Sequence, residues 1–191
     1  MSEPAPALQP LLDPETLHES YPDPDAARAR AEQLRVEIRT AVDEIGELVA
    51  RGDLVDLLRG LDELEDALPE ATAAADRAEI AGNAAMQHTA RLRLARVHQR
   101  RGEFADSNVI VTELLPAAEQ FGLVIEAYTH HHAGLNDFAQ RHWDDARDHF
   151  ARALAIREDL ELADDERAAS RTGLEAAQRR LRDAQSPEQA P

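Results

Sequence analysis

The stretch His142-Trp143-Asp144-Asp145-Ala146 decides the fold, because its pattern occurs twice more upstream. The two earlier copies are Glu103-Phe104-Ala105-Asp106-Ser107 and Glu63-Leu64-Glu65-Asp66-Ala67. In each copy a large apolar residue is followed three positions later by a small one, and the large residues are 40 and 39 positions apart. Repeats of this length are typical of solenoids, in which each unit buries the apolar face of its neighbour.

Composition favours helix along the whole chain of 191 residues. Ala, Leu and Arg are abundant and β-branched residues are sparse, so little free energy is lost when helices form. The formal net charge is −17, and every basic residue is arginine. Nucleic acids and anionic membranes are themselves negatively charged, so we expect the chain to bind neither. The absence of cysteine excludes disulfides and cysteine-ligated zinc.

Prolines and glycines divide the chain. Six prolines between Pro4 and Pro24 predict a flexible N-terminal arm over residues 1–24, followed by a helical repeat domain at 25–184 and a disordered tail at 185–191. The first helix is predicted to run from about 26 to 50, with Gly52-Asp53 separating it from the next. No signal peptide or membrane helix is evident in the sequence, and a cytoplasmic location is expected.

The repeat resembles the tetratricopeptide repeat. That motif has a small residue in the first helix, an aromatic residue after the turn, and small and aromatic residues on the second helix. The best match is Gly134, Trp143, Ala146, Phe150 and Ala153. The period exceeds the usual ~34 residues and is similar to an extended variant of bacterial signalling and regulatory proteins. The resemblance implies an all-α fold of helical hairpins, stacked as a right-handed superhelix with capping helices at both ends; an irregular helical bundle is the alternative.

The resemblance also implies that the first helix of each hairpin lines a concave groove. The residues expected to face this groove are Arg93, Arg96, Arg100, Tyr128, His131, His132, Leu135, Phe138, Arg167 and Arg171. The spacing of the first three arginines places them on one helical face. Guanidinium groups bind carboxylates through two hydrogen bonds, so an acidic peptide or chain terminus fits this groove. The alternative is a solvated face whose arginines pair with neighbouring Asp and Glu.

Histidines suggest a metal site only weakly. His130, His131 and His132 are consecutive and point about 100° apart on a helix, so they cannot chelate one ion. His142, Asp145 and His149 share a face, but zinc sites usually need three or four convergent protein ligands. Glu15 and His18 match a di-iron motif that needs a second copy on a facing helix. We therefore predict no metal, no cofactor and no enzyme activity; no phosphate-binding loop or nucleophile elbow is present either.

The sequence favours a protein–protein interaction module, an adaptor or regulator that binds a peptide or protein segment in the groove. The alternative is a structural protein that self-associates as a homodimer. A metal-dependent activity around His142 and His149 is the third hypothesis and has the least support. A further hypothesis places the N-terminal arm in the groove, because Glu3, Asp13, Glu15 and Glu19 give it a charge opposite to that of the arginines.

Overall fold

The computed structural model describes residues 8–185, except for the side chain of Glu166. This part of the chain is built almost entirely from helices. They are α1 (Pro24–Thr40), α2 (Glu44–Gly60), α3 (Leu64–Ile80), α4 (Ala84–Arg100), α5 (Phe104–Leu114), α6 (Leu123–Ala139), α7 (Trp143–Asp159) and α8 (Asp164–Gln185), with a 3₁₀ helix at Leu115–Phe121 after α5. Two short strands precede them, β1 (Leu11–Leu12) and β2 (Glu19–Ser20). The predicted tail, apart from Gln185, lies outside the described residues.

The helices form a repeat array, which confirms the predicted all-α helical repeat. Consecutive helices pack against each other, so that α2 with α3, α4 with α5, and α6 with α7 form hairpins. These hairpins begin at residues 44, 84 and 123, at the same 40- and 39-residue intervals as the sequence pattern. In addition α2 contacts α4, α4 contacts α6, and α6 contacts α8. These four helices therefore share one face, which we call the groove.

The boundary predicted near residue 50 is wrong, because α1 ends at Thr40 and α2 runs through Gly52. The Asp43 carboxylate caps α2 by accepting a hydrogen bond from the amide of Gly46 at 2.7 Å. Gly52 does not break the helix; it makes room for the side chain of Arg93. A Cβ at this position would lie 2.7 Å from Nη1 of Arg93, a residue of α4.

Phe150 is the central core residue of the last hairpin. Its side chain is fully buried and lies against two glycines. A Cβ on Gly134 of α6 would lie 2.9 Å from the Phe150 ring, and a Cβ on Gly173 of α8 would lie 2.6 Å from it. The recurrence of glycine 39 positions apart thus has a packing cause, because the backbones of two helices must both approach one aromatic ring. Within the described residues, no helix is long and apolar enough to cross a membrane.

Candidate functional site

The groove is covered by the chain's own N-terminal segment. Strands β1 and β2 pair antiparallel, Leu11 with Ser20 and Leu12 with Glu19, to form a hairpin over residues 11–20. The Asp13 carboxylate accepts hydrogen bonds from the amides of Thr16 and Glu15, both at 2.8 Å, and these bonds lower the pKa of Asp13. This differs from the flexible arm that the prolines predict, because prolines exclude helix but not a turn. Residues 1–7, including Glu3, lie outside the described residues.

Leu17 is the apolar anchor of the hairpin. Only 2% of its surface is exposed, and it belongs to a cluster with Leu135 and Phe138 of α6 and with Ala176 and Ala177 of α8. Its backbone is left-handed, with φ 56°. That conformation costs a non-glycine residue about 1–2 kcal/mol, and burying a leucine side chain returns about 1.5–3 kcal/mol. The burial of Leu17 thus offsets the strain in the hairpin that carries it.

Tyr21, immediately after the hairpin, is a second anchor. It packs against the core formed by α1 and α2. A Cβ on Gly60, the last residue of α2, would lie 2.5 Å from Cε2 of the Tyr21 ring. Partial burial raises the pKa of the Tyr21 phenol to about 12, and nearby Asp56 adds to the effect. The segment is therefore held at two well-separated points, on α2 and on α6 with α8.

Acidic residues of the hairpin pair with arginines of the groove. Glu19 forms an ion pair with Arg59 of α2. Burial alone would raise the pKa of Glu19, but Arg59 and Arg96 together hold it below its usual range. Glu15 lies 3.2 Å from Arg179 and 3.1 Å from Arg180, both on α8. Arg179 also donates to the carbonyl of Pro14 at 2.8 Å and Arg180 to that of Glu15 at 3.2 Å. The hairpin is thus bound through charge as well as through Leu17.

The three arginines predicted on α4 have different surroundings. Nε of Arg93 donates to Asp56 at 2.9 Å, and Nη2 of Arg100 donates to Asp62 at 2.7 Å. Arg93 and Arg100 therefore pair with carboxylates, as the alternative prediction had it. Arg96 is only 3% exposed, and Nη1 donates to the side-chain oxygen of Gln99 at 2.5 Å. Burial and the charge of Arg59 lower the pKa of Arg96 to about 9, so it is still a cation at neutral pH.

The residues predicted on α6 are brought together under the hairpin. Tyr128 and His132 stack edge to face with ring centroids 4.1 Å apart. Nδ1 of His131 lies 3.1 Å from the Ser170 hydroxyl of α8. Burial, reinforced by neighbouring arginines, holds the pKa of both His131 and His132 well below the usual range, so both rings are neutral at pH 7. Burial raises the pKa of Tyr128 to about 12.

Arg167 and Arg171, the two arginines of α8 predicted to face the groove, are not the ones that pair with Glu15. Arg167 pairs with Asp164 of its own helix. Arg171 lies 3.2 Å from Glu158 of α7 and is exposed. Sequence reasoning instead missed Arg59, together with Arg179 and Arg180, which lie more than two turns beyond Arg171 on α8. Arg59 was missed because the misplaced boundary at Gly52 obscured the register of α2.

Three histidines of the helical hairpin formed by α6 and α7 lie close to one another or to Asp137. Nδ1 of His142 is 3.8 Å and Nε2 of His149 is 3.6 Å from the Asp137 carboxylate. Nδ1 of His149 also lies 3.0 Å from Nδ1 of His130. Burial raises the pKa of Asp137, while His149 opposes the shift. Asp145, the third residue of the predicted face, makes no hydrogen bond to either histidine within the described part of the chain.

Elsewhere in the described part of the chain, three side chains of metal-ligating types converge. Ligand atoms of His98, Glu103 and Asp106 lie within 4.8 Å of one another. Nδ1 of His98 is 2.8 Å from Oε2 of Glu103, and Nε of Arg101 donates to the other oxygen of Glu103 at 2.8 Å. Ion pairing and hydrogen bonding to His98 and Arg101 thus account for the position of Glu103.

Comparison with solved structures identifies the fold class. BtubC (BKLC) from P. vanneervenii is 14% identical with a TM-score of 0.58, over 87% of this chain and 78% of that chain. A putative kinesin light chain with nearly identical TPR-like repeats, from Podospora anserina, is 14% identical with a TM-score of 0.54, over 86% of this chain and 90% of that chain. No family model and no curated protein matches the sequence. The predicted resemblance to the tetratricopeptide repeat is therefore confirmed at the level of the fold: this is a TPR-like helical repeat.

Proposed function

We propose that this protein is an interaction scaffold, an adaptor or regulator that holds a segment of a partner protein in its groove. TPR-like repeats are commonly used for protein interaction, and the groove already accommodates a peptide segment, the N-terminal hairpin. That occupancy is the observation that carries the proposal. The proposed activity is binding, without catalysis, and the proposed location is the cytoplasm.

The hairpin indicates what kind of segment the groove accepts. Leu17 fills an apolar pocket, and carboxylates two positions before and two positions after it pair with arginines on opposite sides of the groove. A partner segment with a leucine between two acidic residues would reproduce all three contacts. Such a segment combines one buried apolar anchor with charges that set its register and speed its association.

The hairpin is then a competitor of the partner. A tethered segment has an effective concentration in the millimolar range, so a free partner must bind more tightly than the hairpin or reach a released state. The wild-type chain is therefore expected to bind the partner weakly. A variant whose hairpin is detached from the groove should bind the partner strongly. The competition gives the proposed adaptor a means of regulation.

Capture from a lysate of the native host tests the proposal. The full chain carrying Leu17→Asp should capture a partner that the wild type captures poorly. Adding Arg179→Glu and Arg180→Glu should abolish that capture, because the groove loses its charge complement at α8.

The matched control adds Arg39→Glu and Arg182→Glu instead, which make the same charge change at two exposed positions. It should leave capture intact. Identical proteins on all baits would refute the groove as the binding site. Self-association would then be the better interpretation. It is favoured by three exposed apolar residues: Val42, just before α2 and 97% exposed, and Ile45 and Val49 in the first half of α2.

A further inference from the structure

The N-terminal hairpin is attached on one side to α2. Strand β2 contacts this helix, and Glu19 of β2 pairs with Arg59 of α2. The side chain of Tyr21, which follows the hairpin, lies against Gly60 at the end of α2. Both helix residues belong to the last turn of α2. This attachment therefore holds the segment to the N-terminal part of the array.

The tip of the hairpin is attached to α8, at the other end of the array. Nη2 of Arg180 donates to the Glu15 carboxylate at 3.1 Å, a contact that spans 165 positions of the chain. Leu17 is buried in the cluster that includes Ala176 and Ala177 of α8. The ion pair is exposed, and such pairs stabilise little. Leu17 is therefore the main attachment at this end.

Helix packing in the array runs between neighbours. At the N-terminal end α1 packs on α2, and at the C-terminal end α8 packs on α7 and α6. In an array of this kind each unit is stabilised by its own contacts and by those with adjacent units, so the end units open most readily. The N-terminal hairpin adds a different kind of link, because it joins α2 to α8 across the groove.

We propose that the N-terminal hairpin is a strap that couples the two ends of the array and limits the distance between them. Opening of α8 then requires loss of the Leu17 contacts in addition to the contacts with α6 and α7. Burial of one leucine corresponds to roughly a ten- to hundredfold change in an opening equilibrium. The strap therefore opposes both the opening of α8 and the bending of the array.

The strap also bears on how a partner would act on the array. A partner segment that reproduces the contacts of Glu15, Leu17 and Glu19 would join α2 to α8 in the same way. The array would then be loose only when neither the hairpin nor a partner lies in the groove. This consequence rests on the proposed function. The strap itself does not depend on a partner, and its test uses the chain alone.

Distance measurements between the ends of the array test the strap. The chain has no cysteine, so Arg39→Cys on α1 and Glu175→Cys on α8, both at exposed positions, provide two sites for spin labels. With the wild-type hairpin, double electron–electron resonance should give one narrow distance distribution. Leu17→Asp should broaden it, and Leu11→Asp, on the exposed side of the hairpin, should leave it narrow. Equal widths for these two variants would overturn the proposal.

A second variant separates loss of the anchor from the introduced charge. Asparagine is uncharged and tolerates the left-handed backbone of Leu17. Leu17→Asn therefore keeps the turn and removes only the apolar contact, and it should broaden the distance distribution as Leu17→Asp does. A narrow distribution with Leu17→Asn would show that the apolar anchor does not couple the ends, and would overturn the strap.

Hydrogen exchange covers the case in which the labelled variants do not fold, because it needs no labels. The amides of Ala176 and Ala177 in α8 should exchange roughly tenfold or more faster in Leu17→Asp than in the wild type. In Leu11→Asp they should exchange at the wild-type rate. Unchanged exchange of both amides in Leu17→Asp would mean that α8 is independent of the hairpin, and the proposal would fail.

Discussion

Replacing Phe150 by alanine is expected to lower the free energy of unfolding by about 3–5 kcal/mol. The ring is fully buried and lies against Gly134 and Gly173. Neither glycine has a side chain that could move into the space, so the cavity cannot collapse without shifting α6 or α8. Against a typical total stability of about 5–15 kcal/mol, this loss is large.

Urea unfolding followed by circular dichroism measures this effect. The control is Val109→Ala, a truncation at an exposed position of α5, which should change the free energy of unfolding by no more than about 0.5 kcal/mol. A loss for Phe150→Ala as small as that for Val109→Ala would show that the two helices do not meet on this ring.

The second large effect is expected from Leu17→Asp, which should detach the N-terminal hairpin from the groove. A two-stranded hairpin of this length is not stable alone in water, so its order depends on its anchors. The substitution forfeits about 1.5–3 kcal/mol of apolar burial and places a carboxylate against Leu135 and Phe138. The ion pair of Glu19 with Arg59 would then be exposed to water and weakened.

Hydrogen exchange of the hairpin amides reports this detachment. The amide of Leu17 donates to the Asp13 carbonyl at 2.8 Å, and that of Asp13 donates to the His18 carbonyl at 2.9 Å. Both should exchange slowly in the wild type and rapidly in Leu17→Asp. Leu11→Asp, on the exposed side of the same hairpin, is the control and should retain protection. Slow exchange in both variants would show that Leu17 does not hold the hairpin.

The sequence predicts the array well because its signal is local and repeated. Leu64, Phe104 and Trp143 each turn out to be the first residue of a second helix, namely α3, α5 and α7. A large residue at the start of that helix and a small one a turn later are what close packing within a hairpin requires. The same requirement operates in each unit, so the pattern is visible without knowledge of tertiary structure.

The residues that line the groove and the segment that covers it could not be predicted in the same way, because both depend on tertiary contacts. Local rules treat Gly52 as a helix break, but it lies inside α2 to admit the side chain of Arg93. The proline content predicts disorder for the N-terminal segment. In the structure, however, Leu17 packs against α6 and α8, and Tyr21 packs against the end of α2. Helical spacing places Arg96 on the groove face, but it does not reveal that the residue is buried, with only 3% of its surface exposed.

The central claim is that the groove binds a segment with a leucine between two acidic residues, and one titration tests it most directly. A fluorescent peptide with the sequence of residues 8–22 is added to the full chain carrying Leu17→Asp, and to the wild type. Saturable binding to the variant, with a Kd below the roughly millimolar effective concentration of the tethered hairpin, and little binding to the wild type are predicted. A peptide carrying the Leu17→Asp change should not bind. Absence of binding to the variant, or equal binding of both peptides, would contradict the claim.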